Sequence, residues 1–179
     1  MARLRGRVRR RPAVLTLLVV GVVGALWIFV LQARPSGSSP TAIRLEQGYA
    51  GTTYAFDGAV CLRAPAVQAR VLDAEVEQAA GVTARLVRPP EGARPTLGFP
   101  AEDRGEDVRG YRVTAGEDDC TLRLLVTPTR QGLLAPGAVR VRLAYGPFDL
   151  LRRTVSVRPQ VRLDVTGEGD DPRAAVDAQ

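Results

Sequence analysis

Nineteen consecutive residues without a charge, Ala13 to Leu31 (AVLTLLVVGVVGALWIFVL), constrain this chain more than any other feature. At 1.5 Å rise per residue a helix over this run is about 28 Å long, close to the roughly 30 Å hydrocarbon core of a bilayer. Pro12 suits the first helical position, where its missing N–H is not needed. Trp27 falls near the far end of the run, the depth at which interfacial aromatics gather. The run therefore predicts one transmembrane helix over 13–31.

Its flanks set an orientation. Arg3, Arg5, Arg7, Arg9, Arg10 and Arg11 stand before it, and only Arg34 follows closely. The positive-inside rule keeps residues 1–12 as a basic cytoplasmic tip and sends the rest of the chain outside. The same arginines can each contribute about 1 kcal/mol of attraction to anionic lipid. A cleaved signal peptide is the rival reading, but its apolar region is usually about 7–15 residues and ends at an A-x-A-like site. Here the best cleavage site, Leu31-Gln32-Ala33, carries a large Leu at the −3 position. An uncleaved signal-anchor is expected, and either reading exports the remainder of the chain. Gly21 and Ala25, with Gly24 beside them, form a small-xxx-small pair that permits close helix–helix contact and a transmembrane dimer.

The net charge of +6 suggests nucleic acid until its distribution is examined. Beyond residue 34 there are 18 basic residues against 19 acidic ones, so the exported part has no basic excess to place on a binding face. No nucleic-acid partner is expected. The chain has no histidine and no lysine. That removes the Ser-His-Asp triad, the Cys-His pair, the imidazole metal ligand and the lysine Schiff base. Basic residues that are all Arg, with abundant Ala, Gly, Val and Pro, reflect a GC-rich coding bias and suggest a bacterial chain.

Residues 32–42 are rich in Pro, Ser and Gly and read as a flexible linker. From Ile43 to Val165 the apolar residues recur with period two. Val139, Val141, Leu143 and Tyr145 alternate with Arg140, Arg142 and Ala144, and Leu122, Leu124 and Val126 repeat the pattern. Turn clusters such as Pro89-Pro90-Glu91-Gly92 and Ala135-Pro136-Gly137 separate such runs. One short helix is expected around Ala74–Ala80, and residues 88–108 read as a long surface loop. Many short strands with regular turns predict an all-β fold, an immunoglobulin- or fibronectin-like β-sandwich of seven to nine strands following the helix. Residues 166–179 lack apolar content and are expected to be a disordered tail.

Cys61 and Cys120 are the only cysteines. Outside the cytoplasm two cysteines in one small domain usually pair, so a disulfide is expected. Their spacing resembles the bridge of immunoglobulin domains, but no Trp follows Cys61 and position 118 is Asp, where a tyrosine corner would place Tyr. Parity adds a further constraint. Cys120 shares a face with Leu122 and Leu124, whereas Cys61 is out of phase with Phe56, Val60 and Leu62 unless a bulge falls at Gly58.

The acidic groups Glu102-Asp103, Glu106-Asp107 and Glu117-Asp118-Asp119 are the remaining candidates for chemistry. Loop carboxylates can hold Ca²⁺, but these lack EF-hand spacing, and solvated loop acids are the commoner case. A two-carboxylate hydrolase would need a sugar-lining cleft that few aromatics here could build. The arginines of residues 139–145 read as a solvated strand face. The expectation is a non-catalytic, membrane-anchored extracytoplasmic module of the cell envelope. It would have no cofactor, no metal and no enzyme activity, and its partners would be the lipid bilayer and another envelope or membrane protein. The alternative is an extracytoplasmic ligand- or Ca-binding module using the acidic loops.

Overall fold

A computed structural model describes Arg11–Gln32 and residues 34–101 and 105–169. The apolar run forms one helix, α1 (Arg11–Gln32). Side chains are described over residues 15–29, and every one of them is exposed. Among the described residues, no helix is long and apolar enough to cross a membrane.

Among the described residues after α1 the regular structure is β, apart from a single 3-10 turn at Pro147–Asp149. The strands are β1 (Ser36–Ser38), β2 (Ile43–Ala50), β3 (Tyr54–Asp57), β4 (Cys61–Arg63), β5 (Ala69–Val76), β6 (Val82–Val87) and β7 (Leu97–Pro100). They continue as β8 (Arg112–Val113), β9 (Asp118–Asp119), β10 (Arg123–Pro128), β11 (Gly132–Leu134), β12 (Val139–Tyr145), β13 (Leu151–Val157) and β14 (Val161–Glu168). Two sheets have four strands, in the orders β6-β10-β3-β7 and β13-β12-β5-β8. Two have three, β11-β14-β2 and β1-β4-β9. The β14–β2 pair is parallel, and the other strand pairs are antiparallel.

Period-two patterning explains which face each strand buries. On β12 the residues Val139, Val141 and Leu143 are fully buried, while Arg140 and Arg142 are exposed. One apolar cluster takes in all four sheets: Tyr54 and Phe56 of β3, Leu124 of β10, Val71 of β5, Leu143 of β12, Leu163 of β14 and Leu62 of β4 all belong to it. The chain is therefore all-β around a single core, with one helix before it.

Several segments differ from the reading of composition alone. Within residues 32–42, β1 pairs with β4, Ser36 opposite Arg63 and Ser38 opposite Cys61, and Pro35 is buried. The physical reason is Gly37. A Cβ there would lie 2.5 Å from Val157 Cγ2 and 2.7 Å from Val155 Cγ1, so only glycine lets this strand close onto β13. Small residues that suggest flexibility are here the ones that permit contact. At Ala74–Ala80 β5 stays extended to Val76, because each residue from Ala69 to Val76 except Leu72 has a partner on β12. The 88–108 segment contains β7, paired to β3, and a bridge between Arg88 and Glu106. β14 carries on to Glu168, opposite Ala50. Residues 170–179 and the arginines at 3, 5, 7, 9 and 10 lie outside the described residues.

The expected disulfide is present, Cys61 to Cys120, with 4.1 Å between their Cα atoms. Its geometry is set by register. Arg123 sits opposite Asp57, whereas Leu62 sits opposite Asp119. Three residues, Gly58, Ala59 and Val60, therefore face only two, Thr121 and Leu122. The extra residue is a bulge at Gly58, whose φ of 72° is a left-handed value that glycine adopts without penalty. The bulge corrects the parity of Cys61 and brings it directly across from Cys120. The bridge thus joins neighbouring strands of one sheet. Replacing both cysteines by serine should lower stability by about 2–4 kcal/mol, read as a lower urea midpoint at unchanged slope. Equal midpoints would show that the bridge contributes nothing.

Candidate functional site

The one buried charged side chain among the described residues is Arg123, in the apolar run Leu122-Arg123-Leu124-Leu125. It lies on the outer face of β10 and is 4% exposed; its partner Asp57 on β3 is 16% exposed. Arg123 Nε donates to Asp57 Oδ1 at 2.9 Å and its Nη2 donates to Oδ2 at 3.1 Å, a two-pronged pair. Nη2 also donates to the Arg94 carbonyl at 3.0 Å, and the Thr96 N–H donates to Asp57 Oδ2 at 2.7 Å. The pair therefore clamps the 94–96 segment over the sheet. Beside it Ala55, Val87 and Leu125 form a second small apolar cluster, with Ala101 packed on it. A buried ion pair adds little net stability, but breaking one strands a charge in low dielectric. Its effect is to fix the covering loop in place.

The acidic groups are engaged with neighbours. Asp119 accepts from the Tyr111 hydroxyl at 2.7 Å and from Thr121 Oγ1 at 2.8 Å. Burial first, and then the hydrogen bond to Asp119, push the Tyr111 phenol from its usual 10.0 up to about 12. Asp118 faces Arg63 at 3.8 Å, and Glu106 meets Arg88 at 2.6 Å. Asp107 Oδ1 accepts from the Arg109 N–H at 2.9 Å. Glu102 and Asp103 lie outside the described residues. Among the described residues, no three His, Cys, Asp or Glu side chains gather as metal ligands would. The arginines of β12 are likewise matched: Arg140 stands opposite Glu75 and Arg142 opposite Asp73, and Arg140 also pairs with Glu77.

The β12–β13 hairpin tip, Gly146-Pro147-Phe148-Asp149-Leu150, presents two strongly exposed apolar side chains. Phe148 is 94% exposed and Leu150 is 75% exposed. Phe148 and Asp149 both have left-handed φ, 56° and 58°, which is unusual for adjacent non-glycine residues. Asp149 is tied to Arg70 at 2.9 Å, so the turn is held while its apolar side chains point outward.

Of the residues singled out by sequence, Cys61 and Cys120 are brought together. Gly21 and Ala25 lie one turn apart on the exposed helix, with open space around Gly21. Arg11 begins α1. Sequence reasoning missed four residues, Asp57, Arg123, Phe148 and Leu150. The arginine inside an apolar run was a visible signal for the clamp, but its acid is 66 positions away. The turn cluster at Tyr145-Gly146-Pro147 marked the hairpin, and the apolar pair just after it was the available sign of an outward tip.

Asp57→Ala should destabilise the fold by about 3–5 kcal/mol, because Arg123 is left buried and unpaired. Proteolysis should then begin within residues 88–101; an unchanged cleavage pattern would remove the clamp assignment. Tyr111 generates a pH dependence. Its folded pKa lies above its unfolded one, so the stability it supplies is whole below about pH 10 and is lost as pH climbs towards about 12. Ultraviolet titration of the native protein should show a late phenolate transition near pH 12 that is lost in Tyr111→Phe.

No known family model matches the chain, and no curated protein is similar to it.

Proposed function

We propose that this chain is a single-pass, membrane-tethered module of the bacterial cell envelope whose exported β-domain has an interaction or structural role and no catalytic one. The observation that carries this reading is α1. Its side chains are apolar on every side, and from Leu15 to Phe29 all are exposed, Leu17 by 73% and Trp27 by 64%. A helix that is hydrophobic all round belongs in a core or in a bilayer, and from Leu15 to Phe29 the β-domain covers none of it. The described side chains alone, Leu15 to Phe29, fall short of a span; together with the uncharged sequence on either side, Ala13 to Leu31, a 22-residue backbone of about 33 Å is comparable with a hydrocarbon core.

The fold of the exported part is best read as an immunoglobulin- or fibronectin-like sandwich. β10 lies between β3 and β6, and β12 lies between β5 and β13. These neighbours correspond to the B-E-D and C-F-G orders of that architecture. The bridge within one sheet departs from the inter-sheet bridge of antibody domains. The disulfide itself supports an oxidising compartment outside the cytoplasm. The proposed partners are the bilayer, a second envelope or membrane protein and, through Gly21 and Ala25, another copy of the helix.

The orientation is tested by fusing a tag after Gln179 and adding protease to intact cells. Digestion from outside is expected. A tag that is shielded until the cells are opened would overturn the topology and the compartment together.

A further inference from the structure

We propose that the β12–β13 hairpin tip is a second membrane anchor, with Phe148 and Leu150 lodged in the headgroup region of an anionic bilayer beside the outer end of α1. This rests on the transmembrane reading of α1 and adds to it.

The topology places the tip and the start of the domain at the same pole. β1 runs antiparallel to β4, so Ser36, opposite Arg63, is the end of β1 nearer Ala64. Ala64 is bridged to Ala115, two residues beyond Val113, and Val113 pairs with Ala69. Ala69 is also opposite Tyr145, the last residue of β12 before the tip. Ala64, Ala69 and the tip therefore share one end of the domain, and β1 points its Ser36 end towards it.

Chain length allows the tip to lie level with the end of the helix. Gly37 packs beside Val155 and Val157, and from those residues back to Leu150 is five to seven strand steps, about 17–23 Å. From Gly37 back to Gln32 is five Cα steps, at most about 19 Å. With that segment extended towards the tip, a helix ending at the bilayer surface sets the hairpin at the same surface.

The chemistry of the tip suits lipid. A fully exposed aromatic and a leucine stand on a turn whose backbone is held in the left-handed region, and Asp149 between them is neutralised by Arg70. Exposed Arg152 and Arg153 come next in the chain, placed to meet anionic headgroups. Apolar groups at the tip with arginines just behind them are the order in which a bilayer presents its interior and its phosphates.

The test uses the full-length chain reconstituted into phosphatidylglycerol-containing vesicles, with bromine placed either deep or shallow on the acyl chains. Trp27 is the only tryptophan, so the native protein reports on the helix, and a Trp27→Phe/Phe148→Trp variant reports on the tip. Phe148 is so exposed that the exchange leaves the packing intact. The expected result is that shallow bromine removes most of the emission both from Trp27, near the outer end of the helix, and from the introduced indole, together with a blue shift. If Trp27 is quenched while the introduced indole answers only to aqueous acrylamide, the hairpin anchor is overturned and the helix reading stands. If Trp27 is not quenched, both are overturned. An introduced indole shielded from acrylamide but untouched by bromine would indicate contact with a second copy of the chain, and would overturn the lipid assignment.

Discussion

The antiparallel seam made by β3 and β10, and continued by β4 and β9, is the contact on which the rest of the fold depends. Its inner face supplies Tyr54, Phe56, Leu62 and Leu124 to the common core. Its outer face carries the Asp57–Arg123 pair. Its far end is closed by Cys61 and Cys120. A one-residue slip along such a seam would turn every side chain to the opposite face. Three different chemistries therefore enforce one register: apolar alternation, a forked ion pair and a covalent bridge. The bulge at Gly58 lets the last two coexist, because the ion pair and the bridge belong to registers that differ by one residue.

Much of this was legible in the chain, and the reason is periodicity. The strands with the clearest alternation, β10 and β12, lie where that alternation places them, since one face of each must meet the core. The cysteine parity puzzle was legible too, and its solution was a glycine. The segments that misled were those where composition and context conflict. Gly37 and Ser38 look like a linker, and Ala74, Glu75 and Val76 suit a helix in isolation. Pairing partners far away in sequence decided both cases. Asp57 and Arg123 show the same limit at the candidate site. Each side chain is ordinary locally, and only the fold reveals that they share one desolvated position.

Charge on this surface is largely settled within the domain. The β12 arginines face Asp73 and Glu75 on β5, and Asp119 is bound by Tyr111 and Thr121. Such matched ladders contribute modestly to stability. The apolar hairpin tip stands out against that background because nothing in the domain answers it.

The capture of β1 by β4 has a mechanical consequence. Only four residue steps separate Gln32 from Ser36, a reach of at most about 15 Å. A ten-residue Gly/Ser tether would let the two parts swivel independently. This junction instead limits how far the β-domain can stray, because its first strand stays within a short step of the end of the helix.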